Sequence, residues 1–552
     1  MKKTAKVSMV LVLLIGLLAA CSKDSNEKKT DNPEPAQTTT TTDNQETTPD
    51  SKFADYSKGF EKAVTIKIPV YERAFEGWNV SDNYYTRWIQ KEFGGKYNVK
   101  VDFVPISRGG EVTDYQQLLA AGNAPDIIYH YDMPQAMAYY SQNVMQPLNY
   151  EEVANYAPTY WNNLKAINEQ YGVLDGKNTF VFASRPDYGN FAGIIRKDWV
   201  EKVGMKVEDL TSLEKFNEML VKWKEAGLGT AGAGLTANIY NYAGAFRDYP
   251  VDPKENVIYS DIAVGEFTTK ATERWLKNLS YQYHNGLIDP EFYLRKDGVS
   301  QKAEFVAGRT GTFGDYMASN MDLFEATKKN NPEAEFAYLP AVAGIPGGKD
   351  LPINSPYPFG MIMGINSATS DEARIAIWMY LEWMSQPDVL FFLQNGVEGE
   401  NYTLDADGIP VKNDAFTGES ALSKNNNKDY WCLVTEAPSY GSEEQTLKAL
   451  KKFWTPPGYE QIVDDMLAAA AEAKAKRGTT HDPMFITPIA AVNEYKADLN
   501  NLFQELYLKI VMGPEDQFDK LYAAAKEQYL KAGYQEILDE KSKAYDAGQF
   551  IS

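Results

Sequence analysis

Leu118-Leu119-Ala120-Ala121-Gly122-Asn123-Ala124-Pro125-Asp126-Ile127-Ile128-Tyr129 carries the end of one element and the start of the next. Asp114 to Ala121 is predicted as a helix that stops at Gly122, and Pro125–Tyr129 reads as a short strand. Asp126 reads as fixing the turn before that strand. Upstream, Ala63-Val64-Thr65-Ile66-Lys67-Ile68-Pro69-Val70 alternates β-branched and polar residues, so it is predicted to be a strand. Tyr84 to Phe93 is predicted as a helix with Tyr85, Trp88 and Ile89 on one side, ended by Gly94-Gly95. Val99-Lys100-Val101-Asp102-Phe103-Val104-Pro105 is a second strand. Strand, helix, strand, helix, strand at this spacing predicts an α/β fold: a parallel sheet covered by helices. In open sheets of that kind, ligands bind at the carboxyl ends of the strands.

A second unit is predicted from about Ile194. Thr211-Ser212-Leu213-Glu214 offers a capping box, and Leu213, Phe216, Leu220 and Trp223 then share a helical face. Further helices are predicted over 269–285, 371–385, 458–476 and most of 489–545. The Pro- and Gly-rich stretch 340–360 interrupts the pattern where the chain could cross between lobes. No internal repeat or heptad run is present.

The amino terminus reads as an address. Lys2, Lys3 and Lys6 precede an apolar run from Val7 to Leu18, and Ala19-Ala20-Cys21 follows. A positive start, a short apolar stretch and small residues before a cleavage point predict a signal peptide over residues 1–20. The run is too short to span a bilayer, which takes about 20 apolar residues. Leu18-Ala19-Ala20-Cys21 resembles the lipobox of bacterial lipoproteins. That resemblance implies a diacylglycerol thioether on Cys21 and cleavage before it. Residues 22–52 contain no aromatic and no large aliphatic residue. Such a composition predicts a disordered tether, and the linker is placed at 21–60. Two acyl chains hold a protein at a membrane stably where one does not.

With 552 residues the chain is long enough for several domains, and 44% hydrophobic with 24% charged residues is a globular composition. Loss of residues 1–20 removes three lysines and no acid, moving the net charge from −21 to −24. That balance argues against nucleic acid as a partner. Cys21 and Cys432 are the two cysteines. A lipidated Cys21 leaves no internal disulfide, and Cys432 reads as a small buried hydrophobe.

Five strings in order carry a wider resemblance. They are Leu118–Ile128; Ile195-Arg196-Lys197-Asp198-Trp199-Val200-Glu201-Lys202-Val203-Gly204-Met205; Gly286-Leu287-Ile288-Asp289-Pro290-Glu291-Phe292; Gly308-Arg309-Thr310-Gly311-Thr312-Phe313; and Lys509-Ile510-Val511-Met512-Gly513. From about residue 61 onward the chain resembles extracellular solute-binding lipoproteins of carbohydrate ABC importers, the group that shares its fold with the maltodextrin-binding protein. Its length resembles the larger polysaccharide-associated subgroup. The resemblance implies a two-lobed periplasmic-binding-protein type II fold with a ligand cleft between lobes. Lobe 1 is expected at 61–190 and 358–430 and lobe 2 at 191–357 and 485–552, with 431–484 unassigned. It also implies an oligosaccharide ligand, ABC permease subunits as partners, a monomer lipid-anchored on the extracytoplasmic face, and no cofactor, metal or covalent chemistry.

A neutral sugar presents C–H faces and hydroxyls, matched by aromatic faces and planar polar groups. After the first strand, Trp78, Asn79 and Asp82 are candidate ligand contacts. After the third, His130, Tyr131 and Asp132 are candidates, because similar proteins place sugar contacts there. On lobe 2, Tyr240, Tyr242, Phe246, Asp315 and Tyr316 are candidates. Tyr188, Tyr357, Trp431 and Trp454 lie near the expected crossovers. His130, His284 and His481 have no metal-ligand spacing. Asp405-Ala406-Asp407-Gly408-Ile409-Pro410 begins like a calcium loop but lacks its third acid and its glycine, so it reads as a hairpin turn. Gly232-Ala233-Gly234-Leu235-Thr236-Ala237 follows a helix rather than a strand and is not read as a dinucleotide site. A peptide-importing receptor and a glycoside hydrolase with two facing carboxylates are the rival classes.

Overall fold

Asp126 joins two neighbouring sheets. Its N–H donates to Lys67 O at 2.8 Å, and its carboxylate accepts from Lys67 N–H at 2.7 Å and from Thr369 Oγ1 at 2.8 Å. Its carbonyl accepts from Asn366 N–H at 2.8 Å. The computed structural model describes residues 52–72, 78–186, 191–210, 212–230, 252–259, 264–294, 298–316, 321–339, 353–354, 357–413, 415–422, 426–438, 440, 442–477, 479–480 and 483–551. Asp55–Ser552 forms one unit.

Along the chain come β1 (Val64–Glu72), α1 (Tyr84–Ile89), β2 (Val99–Ser107), α2 (Glu111–Ala120), β3 (Ile127–His130), α3 (Met133–Ser141), β4 (Met145–Gln146) and β5 (Val181–Ser184). Then follow β6 (Phe191–Arg196), α4 (Leu213–Glu225), α5 (Lys270–His284), β7 (Thr312–Tyr316), β8 (Phe336–Leu339) and β9 (Phe359–Asn366). Helices α6 (Asp371–Met384) and α7 (Ala490–Val511) are the long ones that matter for the site.

β1 and β2 pair in parallel, Val64 opposite Val99 through Glu72 opposite Ser107. β3 and β5 both pair antiparallel with β9, so that His130 and Phe182 lie opposite Ile362 on its two edges. β4 extends the ladder at Asn366. The bonds of Asp126 to Lys67 set the antiparallel sheet around β9 beside the parallel β1–β2 pair, where the sequence predicts one parallel sheet. The central strand β9 is buried at every position. A strand covered on both faces shows no alternation, so its sequence does not announce it. Its Gly360 and Gly364 are needed for space: a Cβ would overlap the side chains of Glu436 and Met145.

β6 is the middle strand of another antiparallel sheet, β8-β6-β7. Three apolar clusters follow the sheets. Ile66, Ile68, Ile128, Phe182, Ile362 and Trp378 belong to one. Trp199, Trp223, Leu276, Phe503 and Tyr529 belong to another. Ile194, Phe313, Phe324 and Val463 belong to a third. The chain changes core between Ala183 and Ile194 and again between Phe336 and Phe359. It changes again between Val434 and Ile462.

Most helix expectations hold within a residue or two, with two differences. The first helix does not stop at Gly94-Gly95. It passes through a π-turn at Gln90–Gly94 and ends at Asn98, whose φ is 56°. Gly94 is required for close approach, since a Cβ there would overlap Gln90 and Val99 O. α4 is capped by Ser212, whose hydroxyl accepts from Lys215 N–H, one residue later than the predicted Thr211 cap. α2 ends as expected before Gly122 at φ +69°. Among the described residues no helix is long and apolar enough to cross a membrane.

Candidate functional site

β1, β2, β3 and β5 bring their carboxyl ends together, and the residues at those ends make one wall. Tyr71 is the penultimate residue of β1. Arg108 follows β2, Tyr131 follows β3 and Arg185 follows β5. The rings of Tyr71 and Tyr131 lie nearly parallel, 14° apart with centroids separated by 6.4 Å. The Arg108 guanidinium carbon sits 4.6 and 4.8 Å from those two centroids. Arg185 lies 5.9 Å from the Tyr131 centroid. Cations placed over tyrosine faces are held by the ring quadrupole.

The turn that presents Arg108 is fixed by Asp114, which accepts from Ser107 N–H at 2.7 Å and from its hydroxyl at 2.6 Å. These two bonds hold the Asp114 carboxyl below its ordinary value. Glu111, in the first turn of α2, accepts from His130 Nε2 at 2.8 Å. Asp132 N–H donates to His130 Nδ1 at 2.9 Å, so the proton toward Glu111 is on Nε2. Asp132 occupies the N-cap position of α3, and its carboxylate lies 3.4 Å from Lys496 Nζ on α7. Since α3 packs in the first core and α7 in the second, this ion pair joins the two.

Glu436 backs the wall. Its N–H donates to Ser184 O at 2.7 Å, and its carboxylate pairs with Lys428 at 3.0 Å. Among the described residues, Tyr71 OH, Tyr129 OH and Glu436 Oε1 are buried here without a hydrogen-bond partner, as are Trp78 Nε1 and Trp431 Nε1 elsewhere in the same lobe's core. Buried polar atoms are satisfied in all but a few cases, so a group of them beside exposed arginine marks a place for a ligand or bound water. Burial pushes the Tyr71 and Tyr131 hydroxyls well above their ordinary value, and the Glu436 charge pushes Tyr131 further. Both stay neutral, able to donate and accept.

Trp78 is half-buried beside Tyr85 and Tyr430, at 6.3 and 6.4 Å between centroids. Asn79 is exposed and closes a local turn by accepting from Ser81 N–H at 2.9 Å. Asp82 is exposed and pairs with Arg87 at 2.6 Å. His130, Tyr131 and Asp132 come together with Glu111 and Lys496 as described. Asp315 and Tyr316 are the last two residues of β7, opposite Ala192 and Phe191. Tyr240, Tyr242 and Phe246 lie outside the described residues, as do Tyr188, His481 and the Gly232–Ala237 string. Tyr357 stacks on Phe359 at 5.1 Å, Trp431 is buried, and Trp454 ends the helix Glu443–Trp454.

Sequence reasoning missed Tyr71, Arg108, Glu111, Arg185 and Glu436. Arg108 follows a predicted strand and was reachable by the rule that selected His130. Arg185 was not, because β5 was not recognised as a strand. Glu436 comes from a distant segment that only folding brings to Tyr131.

The Asp405–Pro410 segment is the turn of a hairpin between Tyr402–Leu404 and Pro410–Lys412. The Asp405 carboxylate accepts from the N–H groups of Asp407 and Ile409, both at 2.9 Å. Cys432 is buried. Among the described residues, no group of three His, Cys, Asp or Glu side chains is arranged for a metal ion. A groove between α4 and α5, lined by Asn217, Glu218, Lys222 and Tyr281, contains none of the candidate residues.

Comparison with known proteins fits this architecture. The profile of the bacterial extracellular solute-binding protein family matches residues 78–389, more than half of the chain, and the protein belongs to that family. It is 22% identical to the lipoprotein LipO of Bacillus subtilis over 521 residues, covering 90% of this chain and 95% of LipO. Among solved structures it is similar to the alginate-binding protein AlgQ2, with a TM-score of 0.63 and 18% identity over 89% of this chain and 100% of the other. It is also similar to an HMO-binding, ABC-transporter-associated solute-binding protein of Bifidobacterium longum infantis, with a TM-score of 0.57 and 13% identity, covering 88% and 99%. The FusA substrate-binding protein of S. pneumoniae, solved with kestose, also scores 0.57 at 15% identity, covering 88% and 99%. These likenesses establish the two-lobed type II fold.

Proposed function

We propose that this protein is a membrane-anchored receptor that captures an oligosaccharide between its lobes and delivers it to an ABC permease without changing it covalently. The observation that carries this reading is the wall at the strand ends. There, the partly exposed Tyr131 ring, backed by the near-parallel ring of buried Tyr71, stands with Arg108, Arg185 and the Tyr71 hydroxyl, which has no hydrogen-bond partner among the described residues, in a member of the solute-binding family. Aromatic faces and fixed polar groups are what a sugar's C–H faces and hydroxyls require. The names of the three solved relatives, which refer to alginate, HMO and kestose, support a carbohydrate ligand. Trp78, Asn79, Asp82, His130, Tyr131 and Asp132 are assigned to the lobe 1 side of the cleft. Tyr240, Tyr242, Phe246, Asp315 and Tyr316 are assigned to the lobe 2 side.

Lobe 1 is assigned 61–190 and 358–430 and lobe 2 191–357 and 485–552. The distribution of the apolar clusters supports this assignment. The likeness to LipO supports a lipid on Cys21. The lipid would hold the receptor, a monomer, at the outer face of the membrane near its permease.

The test is thermal denaturation of the soluble protein against a panel of neutral and acidic oligosaccharides and a panel of peptides. A ligand at about 100 times its Kd adds about 2.7 kcal/mol and raises the melting temperature measurably. Shifts with glycans and not peptides support the reading. Shifts with peptides alone, or release of reducing ends from a bound glycan, overturn it.

A further inference from the structure

Charges on the lobe 1 wall are almost, but not quite, balanced. Glu111 takes His130 and lies 3.5 Å from Arg108. Glu436 takes Lys428 at 3.0 Å. Asp132 takes Lys496 at 3.4 Å. Each of these carboxylates thus faces a cation: Arg108, Lys428 and Lys496 respectively. Arg185 is the remainder. Its side chain has a ring contact with Tyr131 and, among the described residues, neither a hydrogen-bond acceptor nor a carboxylate partner. It is also half-buried.

The backbone places this cation deliberately. Ser184 N–H donates to Val434 O and Arg185 N–H donates to Pro358 O at 2.8 Å. Arg185 therefore stands where the chain leaves the first core for β6, tied to the residue from which it returns into β9. On the proposed lobe assignment this crossover lies at the floor of the cleft. Around it lie Tyr71 OH and Glu436 Oε1, buried and, among the described residues, unpartnered.

A half-buried guanidinium with no counter-charge among the described residues is costly, and its five donors suit a planar carboxylate approached edge-on. The chain's charge of −21 makes an unmatched cation here less expected by chance. A neutral sugar would leave the charge uncompensated. We infer that the cleft takes an acidic oligosaccharide, with a uronate carboxylate received by Arg185 beside Tyr131 and Arg108. This rests on the proposed carbohydrate function and narrows it to a substrate class.

The experiment uses four glycan pools: oligogalacturonates, oligomers from alginate, and each of these after chemical reduction of its carboxyl groups to primary alcohols. Affinities are measured by calorimetry for the protein and for Arg185→Gln. Arg185→Lys separates charge from fork geometry, and circular dichroism checks that each variant folds. The expected result is that an acidic pool binds at least tenfold more tightly than its reduced counterpart. Arg185→Gln should close most of that gap, and Arg185→Lys part of it. The preference should weaken as salt is raised from 50 to 500 mM. Equal or tighter binding of a reduced pool overturns the inference, as does a gap that Arg185→Gln leaves intact. If neither acidic pool binds while a neutral glycan of the wider panel does, the inference fails and the receptor reading stands. If no glycan binds at all, both fail.

Discussion

Replacing Asp126 should weaken the first lobe in a way that separates its charge from its shape. In Asp126→Ala the backbone bonds of residue 126 to Lys67 O and Asn366 N–H survive. The two bonds accepted by the carboxylate, from Lys67 N–H at 2.7 Å and Thr369 Oγ1 at 2.8 Å, are lost. Hydrogen bonds to a charged acceptor contribute about 1.5–3 kcal/mol each, and an orphaned donor adds to the loss. Half-burial of Asp126 argues for the low end, so the expected cost is about 3–4 kcal/mol. For a lobe of this size that lowers the melting temperature by roughly 10 °C. Asp126→Asn keeps an acceptor for Lys67 N–H, and its amide can donate to Thr369 Oγ1, since a hydroxyl accepts as readily as it donates. Its cost should be about 1 kcal/mol, the charge assistance alone. Urea denaturation followed by tryptophan fluorescence measures both. An alanine variant within about 0.5 kcal/mol of the parent, or an asparagine variant as damaged as alanine, would refute the view that Asp126 clips β1, β3 and β9 together.

Gly94→Ala should destabilise by about 2–3 kcal/mol, because the new Cβ overlaps Gln90 and Val99 O at the π-turn; chemical denaturation checks it, and a neutral result would dismiss the close-approach argument. Asp114 has a folded pKa below its unfolded value of about 4. Its contribution is therefore full above about pH 4 and is lost as pH falls further toward the folded value. Asp114→Asn should be less stable than the parent at pH 7 and should converge with it in acid, as measured by melting temperature against pH. Cys21→Ser should bind ligand normally yet be shed from the membrane and fail to support uptake. Cell fractionation with a transport assay decides it, and a membrane-bound, transport-competent variant would remove the role given to the lipid.

Local signals made much of this molecule legible. The β1–α1–β2–α2–β3 order and the stop at Gly122 follow from strand alternation and helix termination, whereas Asp126, expected to fix a local turn, instead bonds to Lys67 and Thr369 far along the chain. Alternation and termination depend on neighbours a few residues away. The same locality explains the failures. β9 is buried on both faces and so lacks alternation, and with it the antiparallel sheet went unread. Gly94-Gly95 looked like a helix end because the contact that requires Gly94 lies across the turn at Val99.

The site divides in the same way. His130, Tyr131 and Asp132 could be chosen from sequence because they directly follow a recognisable strand. The sequence also determined the fold class, the family and the lipobox-like amino terminus. Tertiary structure decided which charges meet. It set Glu111 on His130, Lys496 on Asp132 and Lys428 on Glu436. By doing so it left Arg185 over Tyr131 without a carboxylate of its own among the described residues. Counting residues gives a net charge, but electrostatic energy depends on distance and burial, and those exist only once the strand ends have been brought together.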